Sequence, residues 1–171
     1  MVRKSLENAV QMEYKALTDD MTGAYNKNRL IELLNNRERD GQDIAVIYWD
    51  VNQLKYVNDN WGHLCGDRLI TEVAKTIQSI AREEDIVIRY GGDEFLLYVA
   101  NGTKEIAEQL IKTWKVRLEE EKKRENYEFP VSASVGYALG KHSQLKDIIV
   151  AADKDMYANK RIRRESYQSK R

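Results

Sequence analysis

Residues 44–51 read IAVIYWDV, an almost unbroken run of apolar, β-branched and aromatic side chains. A run without polar alternation suits a strand covered on both faces, so the chain must build a sheet with layers packed on either side. Asp50 interrupts the run near its C-terminal end and sets a carboxylate at one end of that strand. Two further apolar runs, Ile86 to Tyr90 and Phe95 to Val99, flank Gly91 and Gly92, the pattern of a β-hairpin with a Gly-Gly turn. A two-residue turn sets Arg89 opposite Glu94. Val131, Ala133, Val135 and Tyr137 alternate as one more strand.

Between these runs the apolar spacing is helical. Val2, Leu6, Val10 and Leu17 mark an amphipathic helix over residues 1–17, and Leu30, Ile31, Leu33 and Leu34 mark a second within 27–38. Leu69, Val73, Ile77 and Ile80 share a face of a third. Ile106, Leu110 and Trp114 mark a fourth, and Leu145, Ile149 and Met156 a last one. The order helix, strand, helix, hairpin, helix, strand, helix predicts an α/β (α+β) sandwich, palm-like and ferredoxin-like, with a largely antiparallel central sheet flanked by helices. Residues 18–171 form this domain. The helix before it reads either as the output end of an upstream sensory module or as a surface helix packed on the domain.

Charge and cysteine content narrow the function. Lys plus Arg equals Asp plus Glu at 28 each, so the chain lacks the basic excess of a generic nucleic-acid binder, and a phosphate ligand must be met by local charge. The single cysteine, Cys65, excludes an intrachain disulfide and a thiolate cluster, which suits a reducing cytoplasm. No run approaches the ~20 apolar residues that span a bilayer, so this segment is expected to stay out of the membrane.

In the expected sheet, the first strand runs antiparallel to the second strand of the hairpin, and Asp50 meets Asp93. Two carboxylates, joined by a backbone carbonyl such as that of Val51, make an oxygen-rich site for Mg²⁺ or Mn²⁺, metals that handle nucleotide phosphates. The competing structural reading has Asp50 capping a turn and Asp93 belonging to the hairpin, with Glu94 paired across the strands to Arg89.

Arg89, Tyr90, Gly91, Gly92, Asp93, Glu94 and Phe95 spell the motif that names the GGDEF family of diguanylate cyclases. Asp19, Met21, Thr22, Gly23 and Asn26 resemble the family's opening motif. Asp50, Lys55, Asn58, Asp59, Gly62, His63, Gly66 and Asp67 match its nucleotide-binding stretch in order, and Ala152, Asp153, Met156, Tyr157 and Lys160 resemble its C-terminal helix motif. The resemblance runs from about residue 18 to about residue 164 in consistent order.

It implies a diguanylate cyclase that condenses two GTP into cyclic di-GMP and two pyrophosphates across a homodimer. Asp50, the Val51 carbonyl and Asp93 would hold two Mg²⁺ or Mn²⁺ ions per half-site, with Asp93, Glu94 and Lys55 as the catalytic set. Asn58, His63, Asp67, Arg89, Gly91, Gly92, Lys160 and Arg164 match substrate-binding positions, among them Asn58 and Asp67 reading guanine and Lys160 and Arg164 meeting phosphate. His63, in the loop beside the nucleotide, is given no proton-transfer role. Glu94 either assists deprotonation of the attacking 3′-hydroxyl or positions a metal. Arg82 and Asp85 match the family's RxxD inhibitory site, which implies feedback by the product; the bland alternative is a helix end followed by a turn Asp.

Some positions depart from the family pattern. Asn52 stands where a second Asp is common, Leu54 where Phe is common, and Arg163 and Glu165 replace the glycine and asparagine that usually flank Arg164. A different functional class, a catalytically silent receptor of GTP or cyclic di-GMP, would carry a degenerate motif, and the motif here is intact.

Overall fold

A computed structural model describes residues 2–168, with side chains through Ile162. Six helices and four strands follow in the order α1 (Val2–Leu17), α2 (Lys27–Asn35), β1 (Asp43–Val51), α3 (Leu54–Trp61), α4 (His63–Gln78), β2 (Ile86–Arg89), β3 (Glu94–Ala100), α5 (Lys104–Glu125), β4 (Ala133–Lys141) and α6 (Leu145–Gln168). The strands form one antiparallel sheet in the order β2-β3-β1-β4, which bears out the expected α+β sandwich.

The sheet's position follows from strand alternation. Ala45, Ile47, Trp49 and Val51 of β1 point to the face covered by α4 and α5, packing with Leu69, Val73, Ile77 and Trp114. Ile44, Val46 and Tyr48 point to the other face, against Leu30 and Leu33 of α2 and Ile148, Ala152 and Met156 of α6. Both faces of β1 are buried, as its unbroken apolar sequence requires. Strand β4 forms one sheet edge, and α6 closes it. The Tyr137 N–H donates to Asp155 Oδ2 at 2.9 Å, and Asn159 Nδ2 donates to the Val135 carbonyl at 3.0 Å.

Helix α1 buries none of its residues, and Val2, Leu6 and Val10 stay exposed. Its end is stitched to α2 through Asn26. That amide donates to the Ala16 carbonyl at 2.9 Å and accepts from the Asn28 N–H at 2.9 Å, serving both helix ends at once.

Two expectations are corrected. The segment read as a Gly-flanked loop at His63 is a helix start: α3 ends and α4 begins at Gly62, whose φ of +87° permits the sharp break. The hairpin turn is also wider than two residues. Arg89 pairs with Phe95, not Glu94, and the Tyr90 and Gly91 N–H groups both reach the Glu94 carbonyl, at 2.8 and 3.2 Å.

Candidate active site

The β1–β3 register puts Asp50 opposite Glu94, and the Val51 N–H donates to the Asp93 carbonyl at 2.9 Å. Asp50 and Asp93 therefore converge where β1 ends and β3 begins. Burial, then the charge of Asp50, push the Asp93 carboxyl above its ordinary value, against the opposing pull of its own amide, Lys160 and Arg89. A half-buried carboxyl that burial and a neighbouring carboxylate push toward its protonated form marks a site short of positive charge. Lys160, from α6, supplies part of it, with Nζ 3.0 Å from Asp50 Oδ2.

Among the described residues, no group of three or more His, Cys, Asp or Glu side chains is arranged to hold a metal. Two carboxylates with the Val51 carbonyl nonetheless fit Mg²⁺, which commonly takes one or two protein carboxylates and fills its other positions with water and substrate phosphate.

Glu94 is held apart from this pair. Its Oε1 accepts the Tyr48 hydroxyl at 2.6 Å, and its Oε2 lies where a Cβ on Gly91 would overlap it. Burial, then the Glu94 hydrogen bond, drive the Tyr48 phenol well above its ordinary range, so it remains a donor. The Glu94–Arg89 pair of the competing structural reading is replaced by others. Arg89 Nη1 reaches both Asp19 oxygens at 3.1 Å, and Nη2 donates to the Gly92 carbonyl at 2.7 Å. Arg89 thus clamps the turn to the Asp19–Asn26 segment, with its buried Nε unpartnered.

The nucleotide-binding stretch lies on α3 and α4. A Cβ on Gly66 would overlap Asn58 Oδ1, so the bare glycine brings the Asn58 amide against the first turn of α4. Asp67 and His63 are exposed. Lys55 points to solvent and is paired to Asp59 one turn on, Nζ to Oδ2 at 2.8 Å. The Arg164 side chain lies outside the described residues.

Asn52 explains itself structurally. Its Nδ2 donates to Ser132 Oγ at 3.2 Å and its Oδ1 accepts from Ser134 Oγ at 2.9 Å, a donor–acceptor pair that an Asp cannot supply. Tyr48 and Asn52 are the site-shaping residues that sequence reasoning missed. For Tyr48 a signal existed: it shares the face of Asp50 by strand alternation.

Arg82 and Asp85 form a closed unit. Arg82 Nε and Nη2 donate to the two Asp85 oxygens at 2.9 and 2.8 Å, and Nη2 also reaches the Ala100 carbonyl at 2.7 Å. The Asp85 side chain is fully buried and accepts the Ala100 N–H at 3.2 Å, so this pair ties the α4–β2 turn to the end of β3.

The chain matches the family described as "Diguanylate cyclase, GGDEF domain" over residues 16–166. It is 33% identical over 164 residues to the probable diguanylate cyclase DgcJ of Escherichia coli K12, covering 94% of this chain and 32% of that protein. It is 34% identical over 149 residues to the cyclic di-GMP phosphodiesterase PdeR of the same organism, covering 85% of this chain and 22% of that one. The crystal structure of the coiled coil and GGDEF domain of DgcB from Caulobacter crescentus, in complex with c-di-GMP, superposes with a TM-score of 0.79 at 27% identity, covering 94% of this chain and 88% of that one. The chain spans about a third or less of DgcJ and PdeR. With the carboxylate pair, the hairpin and the sheet order all in place, the chain belongs to the GGDEF family of diguanylate cyclase domains.

Proposed function

We propose that this domain is an active diguanylate cyclase that joins two GTP molecules into cyclic di-GMP and releases two pyrophosphates. The observation that carries the reading is the convergence of Asp50 and Asp93 at the β1–β3 end, with Asp93 raised by burial and by its neighbour's charge. Asp50, Asp93 and the Val51 carbonyl would hold two Mg²⁺ or Mn²⁺ ions, which offset the charge that builds on the α-phosphate and lower the pKa of the attacking hydroxyl.

In each half-reaction a ribose 3′-hydroxyl forms a bond to the α-phosphorus of the other GTP, the bond to pyrophosphate breaks, and the hydroxyl proton leaves. Glu94 would take that proton or orient the hydroxyl. Asn58 and Asp67 read the guanine edge, and Gly91 and Gly92 let the turn approach the nucleotide. Lys55 leaves Asp59 to meet the phosphates, and Lys160 turns from Asp50 to phosphate once cations take over its charge. One domain binds one GTP, so the reaction needs two domains face to face.

Binding of cyclic di-GMP at Arg82 and Asp85 as feedback is part of the proposal. It requires Arg82 to offer the ligand the donors that Asp85 does not occupy. Helix α1, exposed along its length, is the proposed coupling to an upstream sensory module. No helix among the described residues is long and apolar enough to cross a membrane, and a cytoplasmic setting supplies the GTP.

Purified protein incubated with GTP and Mg²⁺, at several protein concentrations and beside Asp93→Ala, tests the reading. Cyclic di-GMP and pyrophosphate from the wild type alone, rising faster than linearly with protein, are expected. Tight binding of GTP or cyclic di-GMP with no turnover would mark a silent receptor instead.

A further inference from the structure

Tyr48 belongs to none of the motifs matched above, yet it fixes one of the acidic groups at the site. It is buried on β1, two residues before Asp50 and on the same face, with its ring edge-on to Tyr90 at 5.8 Å between centroids. Glu94 lies opposite Asp50 on β3, so the phenol crosses the strands diagonally to reach it. The 2.6 Å separation is that of a charge-assisted hydrogen bond from a hydroxyl to a carboxylate. The other oxygen, Oε2, rests over Gly91 in space that any side chain at that position would fill. One oxygen is tied by a donor and the other is lodged against the turn that carries Asp93.

We propose that Tyr48 is a positioning residue for the cyclase reaction: it holds Glu94 Oε1 so that the carboxylate faces the Asp93 turn through Oε2 alone. The inference rests on the cyclase reading. A glutamate on this strand end has free rotation about its outer torsions, and each misdirected rotamer removes the carboxylate from the reacting hydroxyl. Fixing it in advance lowers the reorganisation needed at the transition state. Tyr48 acts through Glu94 from a buried place, so its loss falls on kcat and not on nucleotide binding.

Tyr48→Phe keeps the ring against Tyr90 and deletes the hydroxyl. At saturating Mg²⁺, kcat should fall about tenfold, with KM for GTP within about twofold of wild type. The melting temperature should stay within about 4 °C. Glu94→Asp withdraws the carboxylate from the phenol's reach, and the double variant should fall no more than about twofold below the slower single variant. Unchanged kcat in Tyr48→Phe, a loss expressed in KM, or losses that multiply in the double variant would each overturn the proposal. Should Tyr48→Phe not fold, Tyr48→Leu, apolar like most of this strand, is judged by the same criteria. Turnover by the wild type separates the two claims. An inert wild type removes the cyclase reading and this inference with it, whereas an active wild type with an equally active Tyr48→Phe removes the inference alone.

Discussion

Gly66→Ala should separate folding from guanine recognition. A Cβ at this position would overlap Asn58 Oδ1, lie 2.8 Å from Asn58 Cγ and 3.2 Å from Leu54 Cδ1. The main obstacle is the end of a half-buried side chain that no backbone bond holds, so the amide swings away. In exchange, alanine is favoured over glycine within a helix by about 1 kcal/mol. The two effects nearly cancel for stability, and the melting temperature should stay within about 5 °C of wild type. On the proposed reading guanine recognition should be lost, because the amide is displaced from its place against the bare Gly66. One hydrogen bond to the base, with its partner left unpaired, costs about 1–3 kcal/mol. At 1.4 kcal/mol per decade, that is about 5- to 150-fold in kcat/KM. Initial rates of pyrophosphate release across a GTP series read this directly. A folded Gly66→Ala protein with kcat/KM within twofold of wild type would refute the claim that the glycine sets Asn58 for base reading.

Three further outcomes follow from the packing and the charges. A Cβ on Gly136 would overlap the Met156 amide nitrogen and lie 2.6 Å from the Asp155 carbonyl carbon, so Gly136→Ala should lift α6 from β4. That overpacking costs about 1–3 kcal/mol, seen as a lower denaturant midpoint, and lowers turnover by moving Lys160. Asp19 is held below its ordinary value: burial opposes this, but hydrogen bonds from Thr22 and Arg89 win. A lowered folded-state pKa stabilises above the unfolded value of 3.8 and is lost as pH falls through the folded one, so Asp19→Asn should destabilise at pH 7 and lose its effect in acid melts. Asp93 runs the other way: its raised pKa gives stability present below 3.8 and lost as pH rises through the folded value. Metal-free Asp93→Asn should therefore melt higher than metal-free wild type at pH 7, and added Mg²⁺ should raise the wild type more than the variant.

The sheet was readable because its causes are local. The run from Ile44 to Val51 announces a doubly covered strand, and the alternation from Val131 to Tyr137 announces another. Asp50 and Asp93 could be brought together from the sequence because an antiparallel pairing leaves one arrangement of their strand ends. What the sequence concealed depends on contacts between distant segments. Arg89 binds Asp19, which lies in a different part of the chain, and so frees Glu94 for Tyr48. Once Arg89 pairs with Phe95, the turn must be wider than the two glycines alone suggest. The break at Gly62 was hidden for another reason: a positive φ leaves no mark on hydrophobic periodicity, and two short helices read as one helix and a loop.

The site also shows why four acidic side chains can crowd one sheet end. Three of them have partners drawn from separate elements: Asp50 has Lys160 of α6, Glu94 has Tyr48 of β1, and Asp19 has Arg89 of β2. Each partner meets its carboxylate through a bond of 2.6–3.1 Å. Asp93 takes a hydrogen bond from its own amide and feels Lys160 and Arg89 through charge, which burial and Asp50 outweigh. At the point where the motif turns, the ionised form of Asp93 is thus disfavoured. On the proposed reading, a cation brought there with a nucleotide would gain more than at a neutralised pair, because its charge would offset the cost that burial and Asp50 impose on the ionised Asp93.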